Sequence, residues 1–149
     1  MLMVKDWFPF LNTPLATRVW QITVAILAGT LGNIILIYFL SGLLAIGTMV
    51  HLLDWIVGFN TALTGYMLVE KGGPDMPFRR RITVGAGLIN AGATILAVDR
   101  FYVLMVDFPI IGTADAVILL TIGAICAALG GLLAKKYLDL KNNSIKPQD

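Results

Sequence analysis

The sequence has few of the residues that carry most enzyme chemistry. Its 149 residues include one cysteine, Cys126, one histidine, His51, and two serines, Ser41 and Ser144. A lone cysteine cannot form an intrachain disulfide, and one thiol with one histidine cannot close a structural zinc site. A single histidine also excludes a haem held by two histidines of this chain. The sequence therefore predicts a chain that is not catalytic by itself and requires no cofactor.

Charge is scarce as well. Asp, Glu, Lys and Arg make up 13% of the residues, against about 25% in a soluble domain. Hydrophobic residues make up 58%, and the mean hydropathy is +0.84. This balance excludes an intrinsically disordered chain and an ordinary soluble enzyme. It is typical of a chain solvated by lipid.

The hydrophobic residues form runs of transmembrane length. Between Arg18 and Glu70 the one formal charge is Asp54. One helix over this run would be about 76 Å long against a hydrocarbon core of about 30 Å, so the run must fold back as two spans. Two more apolar runs cover 82–98 and 114–134. The predicted spans are approximately 15–40, 45–69, 82–106 and 114–136.

The basic residues predict the orientation. Ten of the eleven lie before Val19, in the loop 70–81 or after residue 134, and the exception is Arg100. Basic residues in short loops stay on the cytoplasmic side. Both termini, the loop 70–81 and the tail 137–149 are therefore expected to be cytoplasmic. An interfacial segment before the first span is indicated by three aromatic residues, Trp7, Phe8 and Phe10.

Together these features predict an all-α integral membrane protein with four transmembrane helices and both termini inside (N-in/C-in). Residues 1–149 are expected to form one membrane domain, a compact helical bundle with an N-terminal interfacial segment. The expected location is the cell (plasma) membrane.

Polar residues near the outer ends of the spans are the candidate site. His51 and Asp54 are three residues apart and share one helix face. With a third ligand they would form a metal site of unknown metal, and they are also suited to a proton relay or a quinone contact. The alternative is a polar pair satisfied by another helix or by interfacial water. Residues expected at the same level are Asp99, Arg100 and Asp107.

Two details of this region stay open in the sequence. The turn between the first two spans falls at Ser41-Gly42 or at Gly47-Thr48, and the choice sets the depth of His51 and Asp54. Arg100 is expected to pair with Asp99 or Asp54, since a carboxylate offers a partner for an arginine near lipid.

Small residues recur at helical spacing in all four spans. Such faces let helix backbones approach closely in a membrane, and we expect more of them than one bundle can bury, which would leave some for partner chains. Asn33 and Asn90 lie inside spans and need hydrogen-bond partners there. The predicted packing residues are Gly29, Gly32, Gly58, Ala62, Gly87, Ala91, Gly123, Ala127 and Gly131.

The loop 70–81 ends in Arg79, Arg80 and Arg81. These arginines are interpreted as a topology signal that contacts lipid phosphates. Docking of an acidic cytoplasmic subunit is the alternative. A nucleic-acid partner is not expected, because the basic surface is short and lies against the bilayer.

Two functions fit these features. The first is an accessory, structural subunit of a multi-subunit integral membrane complex, with a respiratory oxidoreductase or a membrane metallo-monooxygenase as hosts named by analogy. Its partners would be other integral membrane subunits and lipids. The second is a small homo-oligomeric transporter or channel for protons or other cations.

The predicted topology is testable by labelling single cysteines with an impermeant thiol reagent in a Cys126→Ala background. Reagent added from outside should leave Arg79→Cys and Lys141→Cys unlabelled and should label Gly112→Cys. External labelling of cysteines placed in 72–78 would contradict the predicted orientation.

Overall fold

The computed structural model describes residues 14–72 and 80–145, and these residues form four α-helices and no strand. All four helices are long and apolar enough to cross a membrane. The prediction of four long apolar helices is therefore confirmed, whereas the predicted interfacial segment and Arg79 lie outside the described residues. The helices are α1 (Pro14–Ser41), α2 (Ile46–Gly72), α3 (Arg80–Val106) and α4 (Thr113–Ile145).

The helix ends place the turn between α1 and α2 and the end of α4. α1 begins at Pro14, where a missing N–H costs nothing. α1 ends at Ser41 and α2 begins at Ile46, so the turn follows the first candidate, Ser41-Gly42. α4 continues nine residues past residue 136 to Ile145. Most of the segment expected as a tail therefore extends the last helix.

Local hydrogen bonds define the link between α3 and α4. Asp107, just after α3, has a φ of 61°, a left-handed conformation that aspartate tolerates better than most residues. Its N–H donates to the Val103 carbonyl at 3.1 Å. The Asp115 carboxylate accepts the Gly112 N–H at 3.1 Å. Asp115 thus provides the acidic half of a capping box at the start of α4.

Contacts between the helices show an up-down-up-down bundle. Within the described residues, α2 and α3 each pack against the other three helices, whereas α1 and α4 do not meet. α2 and α3 therefore fill the middle of the bundle, and their outward sides point in opposite directions. The largest apolar cluster joins all four helices through Ile37, Val57, Val98 and Leu119, among others.

Small residues join α4 to the two central helices. A Cβ added at Gly87 would overlap the Gly123 carbonyl oxygen, and one at Gly65 would overlap the Ala127 carbonyl oxygen. Gly130 meets the Ala62 backbone in the same way. In this arrangement α4 runs antiparallel to α3 and parallel to α2.

The expectation of outward-facing small faces does not hold. All nine predicted packing residues are buried or half-buried within the single chain. The reason is that α4 lies against α2 and α3 at backbone distance, while Gly29 and Gly32 of α1 face polar side chains of α2 and α3. These stripes leave no glycine-rich surface for a partner.

Gly87→Ala should lower the free energy of unfolding by about 1–3 kcal/mol, because its Cβ meets backbone that cannot move aside. Gly85→Ala is the matched control on the same helix, since a Cβ there has nothing within 4 Å. The control should be neutral or stabilising by about 0.5–1 kcal/mol. Unfolding titrations in mixed detergent measure both variants, and equal effects would contradict the close approach.

Candidate functional site

A buried hydrogen-bond network connects three helices at the middle of the bundle. The Asn33 amide Nδ2 donates to Asn90 Oδ1 at 2.8 Å and to Thr94 Oγ1 at 2.9 Å. Asn90 Nδ2 donates in turn to Thr64 Oγ1 at 2.9 Å. All four side chains are buried. The prediction that Asn33 and Asn90 find partners across helices is therefore confirmed.

The network depends on one glycine. A Cβ at Gly29 would overlap Thr64 Oγ1 and Asn90 Nδ2, so any larger residue would displace the amide. Thr30 Oγ1 and Asn33 Oδ1 are buried without a hydrogen-bond partner. The network thus retains acceptor capacity.

The described core contains polar but uncharged side chains. Its buried polar members are Thr30, Asn33, Thr61, Thr64, Thr83, Asn90 and Thr94. Amides and hydroxyls form hydrogen bonds but do not ionise near neutral pH. These side chains are therefore suited to holding helices together.

A second polar contact joins α1 and α3 at the other side of the apolar cluster. The hydroxyls of Ser41 and Tyr102 lie 2.7 Å apart, and Ser41 also donates to the Ile37 carbonyl at 2.7 Å. The rings of Tyr38 and Phe101 pack beside them with centroids 4.4 Å apart. Sequence reasoning missed this contact, although a serine and a tyrosine at the ends of two spans are its signal.

The predicted polar residues are not gathered into one site. His51, Asp54, Arg100 and Asp107 are exposed, and Asp99 is half-buried. Across residues 14–72 and 80–145, no three side chains among His, Cys, Asp and Glu come close enough to hold a metal ion. Asp107 instead occupies the left-handed position after α3. The geometry therefore adds nothing to the metal interpretation.

The expected ion pair of Arg100 is not formed either. Within the described residues, Arg100 makes no salt bridge to Asp99 or Asp54. Neighbouring residues on a helix point about 100° apart, and Asp54 lies on the other central helix. Asp99 Oδ1 is buried without a hydrogen bond. The exposed charges of this region are thus Asp54 on α2 and Arg100 on α3.

Arg81 is exposed near the start of α3. Arg80 is the first residue of that helix, and Arg79 lies outside the described residues. Contact of these arginines with lipid phosphate stays a prediction.

A groove lies between α2 and α4 on the described surface. It has a volume of about 530 Å³ and is lined by Asp54, Trp55, Gly58, Phe59, Ile122 and Cys126. We call it the α2–α4 groove. Its lining combines one carboxylate, two aromatic rings and an apolar floor.

Gly58 forms the floor of the groove. A Cβ there would lie 3.2 Å from Ile122 Cγ2 and 3.4 Å from Cys126 Sγ. Trp55 and Phe59 form the outer wall and are 78% and 66% exposed. The sequence signal was the pair of aromatic residues four apart beside Asp54. The groove was missed because Gly58 was interpreted as a helix-packing residue and Cys126 as an isolated thiol.

Comparison of the chain with known protein families, with curated proteins and with solved structures gave no match.

The network predicts an energetic coupling between Asn33 and Asn90. A double-mutant cycle with Asn33→Ala and Asn90→Ala should give a coupling of about 0.6–1.7 kcal/mol, the range for hydrogen bonds between membrane helices. Asn60 is the control, because its amide donates to Ile56 on its own helix. The Asn60–Asn90 cycle should be additive. Additive losses in both cycles would contradict the network.

Proposed function

We propose that this chain is a non-catalytic, structural subunit of a multi-subunit integral membrane complex. It contacts a partner subunit through the α2–α4 groove. The observation that carries this proposal is Asp54, an exposed carboxylate on the outward side of an apolar helix. Such a group is poorly accommodated by lipid tails but well accommodated by a protein neighbour.

The depth of Asp54 supports a protein neighbour. Val69 precedes the charged pair Glu70 and Lys71, and about twenty residues of helix cross the hydrocarbon core, which reaches Met49. Asp54 would then lie about 7.5 Å below the outer boundary. An aspartate costs about 2.5–3.5 kcal/mol at the centre of a span and less toward its ends. A donor or a positive charge from a partner offsets that cost.

The transporter alternative has less support. A pathway for cations is expected to place charged groups inside the bundle. The buried polar side chains of the described core are amides and hydroxyls, and Asp99 enters it only in part. The choice of a respiratory oxidoreductase or a membrane metallo-monooxygenase as the host stays a prediction by analogy.

Changes in the groove should release the chain from its partner without unfolding it. Trp55→Ala and Phe59→Ala each remove one exposed ring of the outer wall. Both should reduce co-purification of partner chains after gentle extraction by at least about tenfold, the effect of losing an interface anchor. His51→Phe is the control, since His51 is exposed on the same helix outside the groove. Thermal unfolding of each variant checks that the bundle is intact.

Two results would contradict the proposal. One is partner recovery that is unchanged by either groove variant. The other is cation transport by the purified chain in liposomes that is lost on Asp54→Asn, which would favour the transporter.

A further inference from the structure

Asp54 and Arg100 lie at the same depth in the bundle. The hydrogen bond between Thr64 and Asn90 sets α2 and α3 in register. Asp54 lies ten residues before Thr64, and Arg100 lies ten residues after Asn90. Because α2 and α3 are antiparallel, both are displaced about 15 Å toward the same end of the bundle.

The two charges point away from each other. α2 and α3 are the central helices, with α1 and α4 apart on either side. Exposed residues of α2 and exposed residues of α3 therefore lie on opposite faces of the molecule. One face carries an unpaired acid and the opposite face an unpaired base, at equal depth.

The face of α3 that carries Arg100 is a ridge. Leu96 and Leu104 lie one turn on either side of Arg100 and are 68% and 83% exposed. We call these three residues the α3 ridge. Leu96 lies six residues after Asn90, and Gly58 lies six residues before Thr64. The ridge thus places a leucine at the depth of the groove floor and an arginine at the depth of the groove carboxylate.

We propose that the α3 ridge of one copy of this chain docks in the α2–α4 groove of the next copy. Arg100 pairs with Asp54 of the neighbouring copy and lies beside the exposed Trp55 ring, a favourable neighbour for a guanidinium. Leu96 fills the space above Gly58. This inference rests on the proposed function and names the groove partner as a second copy.

Charge complementarity distinguishes a second copy from a lipid. A lipid phosphate would neutralise Arg100 but would repel Asp54, whereas a second copy neutralises both. Copies that share one orientation in the membrane meet with these residues at matching depth. The contact joins two different surfaces, so a dimer still has one free groove and one free ridge. Further copies bind to these, and the assembly grows into a ring or a row.

Cys126 provides a direct test, because its Sγ lies at the groove floor. The full chain with Leu96→Cys carries one thiol in the groove and one on the ridge. Oxidation with copper phenanthroline in native membranes should give a ladder of dimers, trimers and larger species. Leu31→Cys is the control, since Leu31 is exposed on α1 outside both surfaces. It should give no ladder.

Three other results would overturn this inference. Dimers of the unmodified chain through Cys126 would show a symmetric contact through the groove. If no ladder forms but other chains still co-purify, the groove binds a different protein, and the proposed function stands. A monomer that purifies without any partner would contradict both proposals.

A charge exchange tests the pairing itself. Asp54→Arg and Arg100→Asp, each in the Leu96→Cys chain, should lower the cross-linked fraction at least about tenfold through like-charge contact. The double exchange should restore the ladder, because the opposite charges then meet again. If the double variant unfolds at the same temperature as the parent but does not restore the ladder, the pairing of Arg100 with Asp54 is overturned.

Discussion

The backbone contact of α4 with α2 and α3 is the constraint on which the rest of the bundle depends. Lipid tails are as apolar as leucine, so membrane helices associate through close packing and polar contacts. Glycine at 65, 87, 123 and 130 lets carbonyl groups and Cα atoms of neighbouring helices touch. No side chain larger than hydrogen fits at these crossings, and the position of α4 follows from them.

α1 is held in a different way. It does not meet α4 in the described residues, and its outward side is lined with large apolar residues such as Ile35 and Phe39. Asn33 and Ser41 attach it to α3 through hydrogen bonds, and Gly29 makes room for the buried amide of Asn90. Small residues thus position α4, while amides and hydroxyls position α1.

The small residues at the helix crossings and the buried amides and hydroxyls thus all make contacts within the chain. What remains for interaction is the surface, where the groove, Asp54 and Arg100 stand out against apolar side chains. The site formed by His51, Asp54, Asp99, Arg100 and Asp107 stays a prediction, since no three side chains among the described His, Cys, Asp and Glu residues come together as a ligand set.

The sequence by itself determined the number of long apolar helices and most of their ends, because hydropathy, Pro14 and the charges at residues 70 and 80 act locally. The α4 helix continues past the predicted span to Ile145, because lysines do not stop a helix. Tertiary structure decided which faces meet. Helix rotation and neighbour choice bury the small stripes, bring Asn33 to Asn90, open a groove at Gly58 and turn Asp54 and Arg100 to opposite sides. These outcomes depend on packing between residues far apart in sequence, which no local pattern specifies.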